Sequence, residues 1–136
     1  MQQNIIMSEI LETKPIIIKN IIHFNHPEYW LGYKFIMSDV SKNIVCKIEN
    51  SQNCCESFGV YTKSVIDDFI GAEYYSVDIG KICCKKSGCG DYSKTIGVTV
   101  NTSKGKFIIL LYNEHNGYYR HSVFIRTETT TKKIYL

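Results

Sequence analysis

Alanine is almost missing from this chain: among 136 residues there is one, Ala72, beside only two prolines and two arginines. Without the best helix former, long helices have little intrinsic support, and the 20 isoleucines and 10 tyrosines that take its place fit the pleated surface of a sheet. With arginine scarce, the formal charge of +3 rests mainly on 14 lysines interleaved with acids, a pattern of solvated surface more than of a phosphate grip. Long apolar runs are absent as well. The stretch Ile16 to Ile22, interrupted by Lys19 and Asn20, is too short to span a bilayer. The residues before it lack the basic start and small-residue cleavage site of a secretory signal, so a cytosolic protein with no membrane span is expected. There is no phosphate loop, no dinucleotide fingerprint and no zinc-protease helix.

A chain of 136 residues makes one domain with one core. Residues 1–14 are mixed and polar and are expected to form an N-terminal arm, with 15–136 as a single β-rich domain. Strand-like runs fall near 16–24, 31–37, 43–49, 58–62, 73–84, 94–101, 105–113, 118–126 and 132–136, each bounded by Gly, Asn, Ser or Lys clusters. The fold class is thus mainly β, a single-domain antiparallel meander, barrel or sandwich, with one short helix near 64–70. Ser64 offers that helix an N-cap oxygen, Asp67 follows three residues on, and Gly71 suits its C-terminal left-handed position. Two turns are legible: Asn101 to Gly105 joins two strands, and Asn116-Gly117 has the residues of a two-residue hairpin turn.

The six cysteines are Cys46, the pair Cys54-Cys55, the pair Cys83-Cys84, and Cys89. No Cys-x-x-Cys knuckle is present, and neighbouring residues of a strand point to opposite faces, so at most one of each pair can look toward a shared ion. Reduced thiols, some as small core residues, are the leading expectation; one or two disulfides and a zinc site are the alternatives. His115 and His121 flank the Asn-Gly turn with Glu114 and Ser122 beside them, but residues beside a hairpin turn are usually exposed and nothing marks Ser122 as an activated nucleophile. His23 and His26 lack a third metal ligand, and Asp67, Asp68 and Glu73 are read as ordinary acids around the short helix. No catalytic residue, cofactor or metal is expected.

Tyr74-Tyr75 and Tyr118-Tyr119 are doublets on strands, so one ring of each pair should face inward and one outward. Outward rings and lysines together would suit a nucleic-acid surface, but along the sequence the basic residues are not clustered with the aromatics, and protein interfaces use outward tyrosines equally well. The runs Ile16 to Ile22 and Ile134 to Leu136 are candidate docking patches.

Asn53-Cys54-Cys55-Glu56, then Val65-Ile66-Asp67-Asp68-Phe69-Ile70-Gly71, then Asn116-Gly117-Tyr118-Tyr119 before a closing strand resembles a family of uncharacterised domains from phages, large DNA viruses and some bacteria. The resemblance covers roughly residues 30–126 and implies a compact β fold and a viral setting; Asn53 stands where the family commonly has Asp. Ile, Lys, Tyr and Asn have AT-rich codons, which adds an AT-rich genome such as that of an iridovirus-type virus. The expected function is a non-enzymatic structural or interaction protein, a virion-associated minor capsid protein that cements or zips its neighbours. The alternative is a nucleic-acid-binding or host-interaction protein acting inside the infected cell. Expected partners are viral capsid or other viral proteins, or further copies of the chain. Expected locations are the virion and, during assembly, the host cytoplasm. The positions singled out are Cys46, Cys54, Cys55, Cys83, Cys84 and Cys89 as possible disulfide or thiol sites, and Asn116, Gly117, Tyr118 and Tyr119 as turn and interface.

Overall fold

A computed structural model describes residues 14–51, 57–86, 92–115 and 119–136. Among the described residues the chain forms ten strands: β1 (Ile16–Asn25), β2 (Trp30–Met37), β3 (Ile44–Glu49), β4 (Ser57–Tyr61), β5 (Glu73–Ile79), β6 (Cys83–Lys86), β7 (Tyr92–Thr102), β8 (Gly105–His115), β9 (Ser122–Arg126) and β10 (Thr131–Tyr135). They make one open antiparallel sheet in the order β10-β9-β3-β2-β1-β5-β7-β8-β4, and β6 lies beside the first half of β7. The run expected at 73–84 is thus two strands on one side of β7, with Gly80 N donating to Gly97 O at 2.8 Å in the break between them.

Sequence-adjacent strands pair within β1-β2-β3, β7-β8 and β9-β10, but β3-β9, β1-β5 and β4-β8 join distant segments, so the order departs from a pure meander. The strands on either side of Asn116-Gly117 do not pair with each other: β8 has both edges occupied, by β7 and β4, and β9 pairs β3 and β10. Residues Asn116, Gly117 and Tyr118 themselves lie outside the described residues.

Alternation builds the core, because every second side chain of a strand faces the same way. Along β8, Phe107, Ile109, Leu111, Asn113 and His115 are buried while Ile108, Leu110 and Glu114 are exposed. Phe107 packs edge-on against Phe35 of β2 and Phe69, each with ring centroids 5.1 Å apart, and against Tyr33 of β2 at 6.1 Å. The inner faces of the two halves therefore meet, and the sheet encloses a core that also takes Ile18, Ile44, Ile48, Val98, Val100 and Ile125.

The helix expected over 64–70 is a single 3-10 turn, Ile66–Asp68, capped by Val65 without a side-chain hydrogen bond. Ser64 is used elsewhere: its Oγ accepts from Ile108 N at 3.4 Å, and Thr62 Oγ1 donates to Ile108 O at 2.6 Å, so two hydroxyls continue the β4-β8 ladder where the β4 backbone departs. The turn ends at Gly71, whose φ of +85° is left-handed as expected, and Gly71 N and Ala72 O both bond Ile18 on β1, at 2.8 and 2.9 Å. A second 3-10 turn, Val40–Lys42, is capped by Asp39, whose carboxylate accepts from Ser41 N at 3.0 Å. Hydrogen bonds from the Ser41 side chain and backbone hold the Asp39 carboxyl below its ordinary range. No described helix is long and apolar enough to cross a membrane.

Candidate functional site

Of the positions singled out by sequence, Cys46, Cys83, Cys84 and Tyr119 are described, and the three cysteines carry free thiols. Cys46 is fully buried in β3, with Sγ 3.9 Å from Tyr33 O, and desolvation pushes its pKa up to about 12. The Tyr33 phenol beside it is pushed up as well, by burial first and by Cys46 second. Cys83 pairs with Thr95 and Cys84 with Lys94, so the two side chains leave β6 on opposite faces, and both are exposed. Cys54, Cys55 and Cys89 lie outside the described residues. Among the described residues no group of three or more His, Cys, Asp or Glu could hold a metal ion.

The histidines do not behave as residues beside an exposed turn. His115 is 4% and His121 0% exposed. His121 stacks on Phe58 of β4 with centroids 4.0 Å apart, and its Nδ1 lies 2.8 Å from Glu49 O, while His115 stacks near Tyr92 at 6.1 Å. Asn113 Nδ2 donates to Tyr119 O at 2.9 Å and to Leu136 O at 3.0 Å, and the Leu136 backbone pairs both ways with His121 at 3.0 Å. This buried polar seam ties β8 to the segments entering β9 and leaving β10. Of the two expected docking runs, the second ends in the wholly buried Leu136 but exposes Tyr135 at 54%, and in the first only Ile16 and Ile17 pair with β5 while Ile22 is 39% exposed. The Tyr74-Tyr75 doublet divides as expected, with Tyr74 against the core and Tyr75 exposed.

Two outward faces stand out. On one, β4, β8 and β7 align in rows: Tyr61-Leu110-Gly97, Gly59-Tyr112-Thr95 and Ser57-Glu114-Ser93. Tyr61, Ile108 and Leu110 are 47%, 44% and 39% exposed there. Two glycines let the large side chains lie flat, since a Cβ on Gly59 would come 3.2 Å from the Tyr112 hydroxyl and one on Gly97 would touch Leu110 at 3.5 Å. Ser57, Tyr61, Thr95, Leu110, Tyr112 and Glu114 line a shallow depression of about 370 Å³.

On the other face, β1, β2, β3, β9 and β10 align in two rows, Ile22-Lys34-Val45-Arg126-Thr131 and Phe24-Gly32-Lys47-Phe124-Lys133. Trp30, Glu49 and Tyr135 stand two residues beyond Gly32, Lys47 and Lys133 on the same side. Lys47 Nζ lies 4.5 Å from the Trp30 ring centroid and 5.1 Å from that of Phe124, a cation held between two rings. No side chain can stand between Phe24 and Lys47, because a Cβ on Gly32 would meet Cys46 O at 2.1 Å. Among the described residues aligned here, four cations stand with one acid, Glu49. The expectation that lysines and aromatics are not clustered is overturned here, and the reason is topological: Trp30 and Phe124 come together only through the β3-β9 pairing. The sequence signal was the alternation in Trp30-Gly32-Lys34 and in Phe124-Arg126, which needed only a face assignment to be read.

Neither the curated proteins nor the solved structures gave a match. Residues 9–125, most of the chain, match the family described as domain of unknown function DUF7448, and the protein belongs to that family.

Proposed function

We propose that this protein is a non-enzymatic interaction protein that joins neighbours through its outer faces, acting as a minor capsid protein of a large DNA virus. The observation that carries the reading is the face of β4, β8 and β7, where Tyr61, Ile108 and Leu110 remain exposed in register around a shallow depression. Half-exposed apolar side chains on consecutive ladder positions suit a flat protein partner, which would bury them with little ordering cost because glycines and strand pairing already hold them. A second, unlike face behind the core gives the domain two sides to bind with, as a cementing protein requires. The non-enzymatic part is supported by His115 and His121, which are spent on packing inside the polar seam, and by the openness of the depression, whose lining offers Glu114 without a facing base. The AT-rich composition supports the viral setting, and the virion, with the host cytoplasm during assembly, is the corresponding location.

The test is mass spectrometry of purified particles, comparing wild type with Leu110→Glu. Many copies per particle for wild type and few for the variant support the reading. Absence of the wild-type chain from particles sinks it.

A further inference from the structure

The geometry points to single-stranded nucleic acid as the ligand of the cationic face. The inference rests on the two-faced reading only in naming what one face takes. Lys34 and Arg126 flank Val45 in one row, and Lys47 and Lys133 flank Phe124 in the next. With strands about 4.8 Å apart and same-face residues about 6.8 Å apart along a strand, each pair spans about 10 Å, and because the second pair is displaced by one strand the four cations spread over about 14 Å by 7 Å. That area matches a few successive phosphates of an extended strand. Around it stand Phe24, Trp30, Phe124 and Tyr135, rings on which bases can stack, so charge and stacking surface are interleaved as a flexible polyanion with aromatic groups requires.

Charge complementarity excludes a basic partner, since neither row holds an acid and Glu49 stands alone in the next one. An acidic protein would answer the four cations but leave the encircling rings without matching planes. A duplex would present phosphates while keeping its bases stacked out of reach. Lys47 sharpens the distinction: its ammonium rests on the rings of Trp30 and Phe124, so a phosphate met there brings its flanking bases directly over aromatic surface. Tyr135, 54% exposed at the edge of the sheet, is the ring most open to a base.

The test is fluorescence anisotropy of labelled oligothymidylate and oligouridylate, about ten nucleotides long so that the strand outreaches the face, titrated with the full chain at several salt concentrations. Both are expected to bind, and the tighter of the two names DNA or RNA as the source. Lys47→Gln and Lys133→Gln should each lower the slope of log affinity against log salt by about 0.7. Tyr135→Ala should weaken binding roughly 5- to 100-fold with the salt slope unchanged. No binding at the lowest salt overturns the inference. So does equal affinity for polyglutamate or for a duplex of the same length. Lys133 and Tyr135 are exposed, so their variants leave the core intact and loss of binding in them is not loss of fold. Leu110→Glu should leave oligonucleotide binding unchanged. Failed oligonucleotide binding with normal particle incorporation removes this inference alone.

Discussion

Cys46 is sealed in the core while Cys83 and Cys84 stand in water, and thiol chemistry follows that division. Under native conditions an alkylating reagent should label Cys83 and Cys84 and spare Cys46, which peptide mapping of the labelled protein checks. Burial also links Cys46 to stability. Its folded pKa rises from the ordinary 9.0 to about 12, so its contribution is fully present below pH 9 and is lost as the pH climbs toward 12. The slope approaches about 1.4 kcal/mol per pH unit at most. Urea unfolding at about pH 8 and about pH 10 should show a steeper loss for wild type than for Cys46→Ala, whatever the baseline cost of the substitution. Phe107 makes the other residue-scale case. It is wholly buried and touches three rings from β2 and the Gly71-terminated turn, so Phe107→Ala should cost roughly 3–5 kcal/mol by denaturant unfolding.

At the scale of elements, Gly71 is where the 3-10 turn hands the chain to β1 and β5. Its φ of +85° lies in the left-handed region and nothing stands within 4 Å of an added Cβ, so Gly71→Ala should carry backbone strain alone, roughly 1–2 kcal/mol by the same measurement. Strands were legible because isoleucine, valine, tyrosine and threonine mark them residue by residue, and the expected boundaries fall close to those of β1 to β4, β7, β8 and β10, while the run expected from 118 becomes β9 only at Ser122. The helix was legible only as a place where the chain turns. Ser64 reads as a cap from its neighbours, but its hydroxyl is claimed by Ile108 across 44 residues, a contact no local pattern announces. That β8 and β9 do not pair was hidden for a related reason: the turn chemistry of Asn116-Gly117 describes two residues, whereas the partners of the strands on either side depend on which sheet edges are already filled. The candidate surface was illegible for the same cause, since its cations and rings sit on five strands.

Across the whole molecule, the pairings β1-β5, β3-β9 and β4-β8 all close long loops. Loop closure must precede the contacts that stabilise it, so refolding after a denaturant jump should take milliseconds to seconds, as stopped-flow fluorescence can measure. The same long-range closure sets the two outer faces back to back with a core between them.

That arrangement has an optical consequence. Trp30 is the chain's single tryptophan and stands among the cations of one face, in contact with the Lys47 ammonium. Indole emission is therefore a built-in reporter of that side only. A ligand that disturbs Lys47 shifts or quenches it, while a partner seated on Leu110 and Tyr61 leaves it dark to the event, so occupancy of the two faces can be told apart in one cuvette without attaching a dye.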